Sequence, residues 1–357
     1  MKNPDKSVYL PSSIHQNLSV VKEYLFVYDQ PFALESGEYL EKMQLAYTTY
    51  GKLNDRKDNI IWICHAFTAN ARTTDWWEGM VGENDFFNPK EHFVICANVL
   101  GSPYGSSSPV TINPKTGENY YTDFPLVTIR DMANALDLLR KHLHIEKIKL
   151  CVGGSLGGQQ ALEWSVLQPD LFENLMISAT NAFHSPWGIA FNEAQRMAIY
   201  ADQTWNEPRE DAGQAGLAAA RAIALLSYRN FGTYNRTQAE PNNNKIDDFR
   251  ASSYQRYQGQ KLVNRFNALT YLTLSKMMDS HNLGRNRESV AWALGQIKAK
   301  TLIVGIDSDI LFPVHEQKFL ADHIPNSKYI EMESTYGHDG FLIETQKLSV
   351  LLADFLK

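Results

Sequence analysis

Short apolar segments recur along the chain, and the spacing of their polar residues changes near residue 59. Two early segments, 23–28 and 42–51, alternate between apolar and polar positions, which is typical of an antiparallel pair of strands. The later segments are almost continuously apolar, so we expect strands buried on both faces, as in a parallel sheet covered by helices. These later segments are residues 59–66, 92–99, 147–154, 171–180, 299–307 and 327–334.

Helical patterns lie between these segments. Residues 128–143 begin with a Thr and have an Asp three positions later, which indicates the N-terminus of a helix. Apolar residues then follow at helical spacing, at Ile129, Met132, Leu136 and Leu139. Residues 348–357 predict a closing helix. The chain is therefore predicted to be α/β, with a mostly parallel sheet flanked by helices.

Residues 183–295 interrupt this alternation, since they contain helical patterns and a polar loop but no buried strand. An all-helical insertion between two parallel strands would form a lid over the carboxyl edge of the sheet, where ligands bind in open α/β folds. We expect three parts: a loosely ordered N-terminal lead, a discontinuous core and a helical lid. Their bounds are residues 1–21 for the lead, 22–182 with 296–357 for the core, and 183–295 for the lid.

Composition narrows the class of protein. Of the 357 residues, 34 are Lys or Arg and 40 are Asp or Glu, so the net charge is −6 and a nucleic-acid-binding protein is not expected. Apolar runs long enough to span a membrane are missing, and the first residues do not resemble a signal peptide. The three cysteines, Cys64, Cys96 and Cys151, fall in strand-like segments at spacings that match neither a disulfide framework nor a zinc site. We expect a cytoplasmic enzyme that needs no metal.

The motif VGGSLGG at residues 152–158 follows one apolar segment directly and precedes a helical pattern. Strand, Gly-x-Ser-x-Gly and helix, in this order, are typical of the nucleophile of an α/β-hydrolase fold. Gly153 and Gly157 allow the backbone to cross itself closely, which exposes the hydroxyl of Ser155. The amide of Leu156 then lies at a helix N-terminus, where it can stabilise an oxyanion. A phosphate-binding turn or a plain tight turn is the alternative.

A serine nucleophile needs a general base that is oriented by an acid, and on this fold the chain order is serine, acid, histidine. His338 follows a late strand, which favours it as the base. Asp307 and Asp309 both follow the preceding strand, and either could hydrogen-bond the imidazole. Other histidines fit less well. His315 and His323 fall in a helical pattern, whereas His184 and His281 belong to the insertion.

A second oxyanion donor is expected from the loop after an early core strand. Here this loop reads CHAFTANA, and the amide of Phe67 is the candidate. His65 precedes the serine in the chain, so we expect it to position the loop rather than to act as the base.

Several separate segments, in the same order, resemble the homoserine O-acetyltransferase family, and the resemblance covers the chain from about residue 30 to residue 350. These segments are GGSLGGQQALEW, AFNEAQRMAI, SYxRYQGxK, MMDSHNLGR, DSDILFP and YGHDGFL. The resemblance implies that Ser155 is the nucleophile, Asp309 the acid and His338 the base. It also implies transfer of an acetyl group from acetyl-CoA to L-homoserine through an acyl-serine, in methionine biosynthesis, with no cofactor beyond the co-substrate.

The resemblance further implies a clamp for the amino acid. Arg221 and Tyr228 match an arginine and a tyrosine that hold this substrate, and a spacing of seven residues puts both on one face of a helix. Asp339 matches the position that receives the substrate ammonium, and Thr68 matches a threonine that lines the pocket. A homodimer assembled through the lid is implied as well.

The chain departs from the family pattern close to the elbow and the acyl entrance. The loop at residues 99–109 reads VLGSPYGSSSP, and Gln159 and Gln160 follow the last glycine of the motif. The donor therefore stays open between acetyl-CoA and succinyl-CoA, and the acceptor between homoserine and serine. An esterase or thioesterase on the same fold is the remaining alternative.

Overall fold

The computed structural model describes residues 21–357, and in this range the chain forms an eight-stranded sheet, a short two-stranded hairpin and flanking helices. The strands of the large sheet are β1 (Val21–Tyr28), β4 (Met43–Tyr50), β5 (Ile60–Cys64), β6 (Phe93–Ala97), β7 (Ile148–Gly154), β8 (Phe172–Ser178), β9 (Lys300–Ile306) and β10 (Ser327–Met332). The hairpin consists of β2 (Phe32–Ala33) and β3 (Tyr39–Leu40).

Eleven α-helices lie in the described range. They are α1 (Ile129–His142), α2 (Leu156–Leu167), α3 (Pro186–Tyr200), α4 (Gln214–Tyr228), α5 (Phe231–Gln238), α6 (Arg250–Val263), α7 (Ala268–Asp279), α8 (Val290–Gly295), α9 (Val314–His323), α10 (Gly340–Ile343) and α11 (Thr345–Phe355). The expected N-terminus of α1 is confirmed, because Thr128 and Asp131 form a reciprocal capping box with each other's backbone amides.

The strand order in the sheet is β1-β4-β6-β5-β7-β8-β9-β10. Strands β5 to β10 run parallel, whereas β1 and β4 form the antiparallel edge that the alternating segments predict. Chain order reverses on either side of β5, and parallel sheets bind ligands at the carboxyl ends of the strands near such a point. The loops after β5, β7, β9 and β10 therefore meet at one edge.

Continuous apolarity in the strands is explained by burial on both faces of the sheet. Successive residues of a strand point to opposite faces, so Trp62 packs in one core and Ile63 in the other. Trp164 of α2 shares the core of Trp62, with the two ring centroids 5.0 Å apart. Leu348 of α11 belongs to the core on the other face. All three cysteines are buried and unpaired.

Helices α3 to α8 lie between β8 and β9, and we call residues 186–295 the helical insertion. Two of its helices reach the carboxyl edge of the sheet. The ring of Tyr271 in α7 packs edge-on against Phe67 in the loop after β5, with centroids 4.7 Å apart. The end of α4 packs against the turn after β10, as described below.

One boundary bears on the predicted parts of the chain. Residue 21 already belongs to β1, so the core begins one residue before the expected position. The rest of the predicted lead lies outside the described residues. Among residues 21–357, no helix is long and apolar enough to cross a membrane.

Candidate active site

Ser155 occupies the turn between β7 and α2 in a backbone conformation that residues other than glycine rarely adopt. Its φ is 56° and its ψ is −127°. Such a conformation costs on the order of 1–3 kcal/mol and persists only where neighbours impose it. Here the Ser155 amide donates to the Ser178 carbonyl at 3.0 Å, and the Ser155 carbonyl accepts from Gly158 N at 2.9 Å. The Thr180 hydroxyl donates to the same carbonyl at 2.9 Å.

Gly153 and Gly157 are both required by close backbone contacts. A Cβ on Gly153 would lie 2.2 Å from the Gly157 carbonyl oxygen. A Cβ on Gly157 would lie 2.0 Å from the Cys64 carbonyl oxygen. Any side chain at either position would therefore push α2 away from β7 or from β5. The predicted nucleophile turn has the geometry that its residue types favour.

The two candidate oxyanion donors come from adjacent pieces of backbone. Leu156 is the first residue of α2, where amides have no partner within the helix. The contact of Gly157 with Cys64 brings the loop after β5 against this helix end. The side-chain amide of Gln160 then donates to the His65 carbonyl at 3.1 Å. Phe67 follows two residues later in this loop, so the structure brings its segment beside Leu156.

His65 fixes the shape of this loop. Its Nδ1–H donates to the Ala66 carbonyl at 2.8 Å, because its Nε2 accepts from the Val99 amide at 3.0 Å. Burial lowers the pKa of His65 to about 4, so the ring is neutral at physiological pH. These contacts match a positioning role, as expected from its place before the serine.

His338 and Asp309 form a buried pair. His338 Nδ1 lies 2.7 Å from Asp309 Oδ2, and Asp309 Oδ1 accepts from the amides of Leu311 and Phe312 at 2.8 and 3.0 Å. Asp307 points elsewhere, since its Oδ1 accepts from the Ser334 amide at 2.9 Å. Of the two aspartates, the geometry brings Asp309 to the imidazole.

Opposing effects act on the pKa of His338. Burial alone would lower this pKa, but the charge and hydrogen bond of Asp309, with a smaller contribution from Asp339, raise it above 6.5. The raised pKa makes the imidazole a stronger base toward the hydroxyl of a nucleophile.

Two phenylalanines hold the imidazole of His338. Phe312 stacks on its face, with centroids 5.1 Å apart and an interplanar angle of 22°. Phe341 lies edge-on, with centroids 5.5 Å apart. The same Phe341 ring packs against Gly154, where an added Cβ would come within 2.5 Å of it. Phe341 therefore connects the His338 ring to the residue that precedes Ser155.

The predicted clamp residues Arg221 and Tyr228 lie next to the turn that carries His338. The Arg221 guanidinium lies over the Tyr228 ring at 5.4 Å, and the Tyr228 ring lies 5.7 Å from that of His338. Burial raises the pKa of Tyr228 to about 12, with the Arg221 charge opposing that shift, so its hydroxyl stays protonated. Within residues 21–357, no carboxylate comes within ion-pair distance of Arg221.

Asp339 has a partner that the sequence did not indicate. Its Oδ2 lies 3.1 Å from Nη1 of Arg229, the residue that directly follows α4. Burial raises the pKa of Asp339, and Arg229 is the largest of the charges that oppose this shift. The only available signal was that Arg229 directly follows Tyr228.

Thr68 is held from the helical insertion. Arg265, between α6 and α7, donates to the Thr68 carbonyl at 2.5 Å and to the Tyr104 hydroxyl at 2.7 Å. The contact from Arg265 to the Thr68 hydroxyl is longer, at 3.4 Å. Tyr104 belongs to the loop at residues 99–109 that departs from the family pattern. The loop at residues 99–109 therefore contacts the helical insertion next to Thr68.

A further carboxyl group, that of Glu316, lies close enough to Asp309 for their charges to interact. Glu316 of α9 accepts from the Asn181 side-chain amide at 3.0 Å, and Asn181 in turn accepts from Gln159 at 3.0 Å. Burial raises the pKa of Glu316 to about 7, hydrogen bonds from Ser185 and Asn181 oppose the shift, and Asp309 adds to it. A glutamate in the first turn of a helix gives no sequence signal for this burial.

The remaining candidate histidines take other places. His281 Nε2 donates to the Asn181 carbonyl at 3.0 Å, and the His184 ring packs against Phe312 with centroids 5.6 Å apart. Burial lowers the pKa of both rings to about 3. His315 is exposed, whereas His323 is half-buried against Phe319.

Comparison with known proteins agrees with this geometry. The sequence model of the alpha/beta hydrolase fold family matches residues 59–345. A homoserine O-acetyltransferase of Cyclobacterium marinum is 50% identical over 343 residues, which cover 96% of this chain and 97% of that protein. The crystal structure of a homoserine O-acetyltransferase from Bacillus anthracis superposes with a TM-score of 0.89 at 24% identity, covering 95% of this chain and 98% of that one.

The fold also occurs in hydrolases. The crystal structure of esterase E22 superposes with a TM-score of 0.85 at 23% identity, covering 95% of this chain and 100% of that one. Sheet, elbow and sequence model together define an α/β-hydrolase-fold protein. Within this class, the identity to the Cyclobacterium marinum protein over nearly the full length shows that the chain belongs to the homoserine O-acetyltransferase family.

Proposed function

We propose that this protein transfers the acetyl group of acetyl-CoA to the hydroxyl of L-homoserine, through an acetyl group carried by Ser155. The observation that carries the proposal is the unpaired guanidinium of Arg221 beside Tyr228 and the His338 turn. An enzyme that only hydrolyses esters has no need of a cation and a carboxylate next to its base. A substrate that carries both a carboxylate and an ammonium does need them.

The first half-reaction forms the acyl-enzyme. Nε2 of His338 takes the proton of the Ser155 hydroxyl while the oxygen attacks the thioester carbonyl. The amides of Phe67 and Leu156 donate to the resulting oxyanion. The carbon–sulfur bond then breaks, and His338 returns the proton to the sulfur of coenzyme A. Asp309 stabilises the imidazolium that exists between the two proton transfers.

The second half-reaction uses the same groups. Arg221 pairs with the carboxylate of homoserine, Tyr228 supports it, and Asp339 receives the ammonium. His338 takes the proton of the homoserine hydroxyl, whose oxygen attacks the ester carbonyl on Ser155. The bond to the Ser155 oxygen breaks, and that oxygen recovers the proton from His338. The product, O-acetylhomoserine, would serve methionine biosynthesis.

Transfer must compete with hydrolysis, because water at about 55 M can also attack an acyl-serine. A bound and oriented hydroxyl can reach an effective molarity of about 10⁵ M or more. A clamp beside the base supplies this orientation, and helices α4 and α7 cover the carboxyl edge of the sheet. The likeness of the fold to esterase E22 makes hydrolysis the second candidate.

Release of coenzyme A with and without homoserine distinguishes the two candidates. The proposal predicts a rapid burst of one equivalent with acetyl-CoA alone, followed by turnover that depends on homoserine. Turnover that ignores homoserine would support a hydrolase instead. The same assay with succinyl-CoA in place of acetyl-CoA defines the donor. Serine in place of homoserine defines the acceptor, which needs this test because the two differ by one methylene, worth only about 1–3 kcal/mol.

We also propose that the protein acts in the cytoplasm as a homodimer assembled through the helical insertion. Large apolar side chains exposed on the insertion support this assembly. They are Met197, Leu226, Phe231, Ile246 and Tyr257.

A further inference from the structure

Arg229 lies at the junction between the helical insertion and the catalytic turn. It directly follows α4, and its Nη1 is 3.1 Å from Oδ2 of Asp339, the residue after His338. Both side chains are largely buried, with 25% and 15% of their surfaces exposed. The sequence resemblance assigns a role to Asp339 but none to Arg229.

The backbone fixes this ion pair. Gly337 has a φ of +63°, and an added Cβ there would lie 2.9 Å from the Tyr228 carbonyl oxygen and 3.0 Å from the Arg229 carbonyl carbon. The end of α4 therefore rests directly on the turn that carries His338 and Asp339. The Thr233 hydroxyl, in the next helix, donates to the Thr335 carbonyl and secures the same contact.

Charge explains why this placement matters. Arg229 and Arg221 both oppose the rise that burial causes in the pKa of Asp339, and Arg229 is the stronger of the two. Without Arg229, Asp339 would lose the ion pair that fixes its carboxylate at this position. A buried carboxylate without a partner is costly, so Asp339 would then take up a proton or move, and the charge that receives the ammonium would be lost.

Arg229 also has a donor to spare. Its Nε–H is buried and has no acceptor among residues 21–357. Among these residues, Asp339 is therefore the acceptor that holds the guanidinium of Arg229.

We infer that Arg229 is a positioning residue that holds the Asp339 carboxylate, in its charged form, in place for the substrate ammonium. The inference rests on the proposed function, because it assumes an amino-acid acceptor. It assigns Arg229 to the specificity of the second half-reaction and to no step of the first.

The test compares two acceptors in the full-length protein. Homoserine carries an ammonium, whereas 4-hydroxybutyrate is the same molecule without the amino group. In Arg229→Met, we expect kcat/KM for homoserine to fall by about 10- to 100-fold, mainly through KM, since hydrogen bonds to charged groups contribute about 1.5–3 kcal/mol. The value for 4-hydroxybutyrate should change by less than about threefold. Acetylation by acetyl-CoA alone should be unchanged.

Arg229→Lys keeps the charge but not the fork, so it should recover most of the preference for homoserine. If Arg229→Met does not fold, Arg229→Lys still tests the positioning role by its preference for homoserine over 4-hydroxybutyrate. Arg236→Met, an exposed position on α5, is the control. Equal losses with both acceptors, or an unchanged preference for homoserine in both variants, would overturn the inference. A wild-type protein that ignores homoserine would instead refute the proposed function.

Discussion

Phe312 stacks on the imidazole of His338, with ring centroids 5.1 Å apart and planes inclined by 22°. The amide of Phe312 donates to Oδ1 of Asp309. The other carboxylate oxygen of Asp309, Oδ2, faces Nδ1 of the same imidazole. One loop therefore holds the face and the edge of the ring. Because both contacts come from the four residues after Ser308, the position of the base depends on the conformation of this short segment.

Asp309→Asn should lower kcat/KM for acetylation by about 10³- to 10⁴-fold, because the amide leaves the imidazole in the wrong tautomer and no longer stabilises the imidazolium. Asp307→Asn is the matched control. Its oxygen accepts from the Ser334 amide, so we expect activity within about threefold of the wild type. Stopped-flow release of coenzyme A measures both. Similar losses in the two variants would contradict the assignment of Asp309.

Arg221→Met should weaken the use of any acceptor that carries a carboxylate. We expect kcat/KM to fall by about 10- to 100-fold for both homoserine and 4-hydroxybutyrate, with acetylation by acetyl-CoA unchanged. This pattern differs from that of Arg229→Met, which should affect homoserine alone. Steady-state kinetics with the two acceptors separate the residues. An unchanged KM for homoserine would remove Arg221 from the clamp.

The local parts of the site were predictable from the sequence because their determinants are contiguous. Gly153, Ser155 and Gly157 specify one turn, and the structure places them in it. The choice between Asp307 and Asp309 was not decided by the residues alone, since both follow the same strand. The resemblance favoured Asp309, and the geometry agrees with it.

Contacts between distant segments could not be predicted. The hydrogen bond from Arg265 to Thr68 joins residues 197 positions apart, and that from Asn181 to Glu316 joins residues 135 apart. Each depends on how the helical insertion or α9 packs on the sheet, which no local pattern encodes. The Arg229–Asp339 pair was missed for the same reason.

Gly157→Ala should destabilise the protein by about 3 kcal/mol or more, because its Cβ would lie 2.0 Å from the Cys64 carbonyl oxygen. Gly295→Ala is the control, since a Cβ at that position meets no atom within 4 Å. We expect its free energy of unfolding to change by less than about 1 kcal/mol. Urea unfolding followed by fluorescence measures both. Equal stability of the two variants would show that the turn tolerates a side chain.

Glu316→Gln should change the pH dependence of stability. Burial raises the pKa of Glu316 from 4.5 to about 7, so the unfolded chain loses this proton first as the pH rises, and the wild type loses stability between these values. The variant keeps the hydrogen-bond acceptor and avoids this loss. Relative to wild type, it should gain about 1–2 kcal/mol between pH 5 and pH 8, allowing for partial exposure.

Glu331→Gln provides the opposite case, because hydrogen bonds from Lys318 and Tyr329 lower the pKa of Glu331. That variant should show no gain at pH 8. Urea unfolding at pH 5 and at pH 8 gives both differences. A Glu316→Gln variant whose stability relative to wild type is the same at the two pH values would refute the burial of an ionisable carboxyl at this position.

The intact mass of the protein, quenched in acid after brief exposure to acetyl-CoA, tests the covalent role of Ser155 most directly. We expect an adduct of about 42 Da, located on the peptide that contains Ser155 and removed by homoserine before quenching. Ser155→Ala should carry no adduct. An adduct that persists in this variant, or a wild-type protein that stays unmodified while it produces O-acetylhomoserine, would contradict an acyl-serine mechanism.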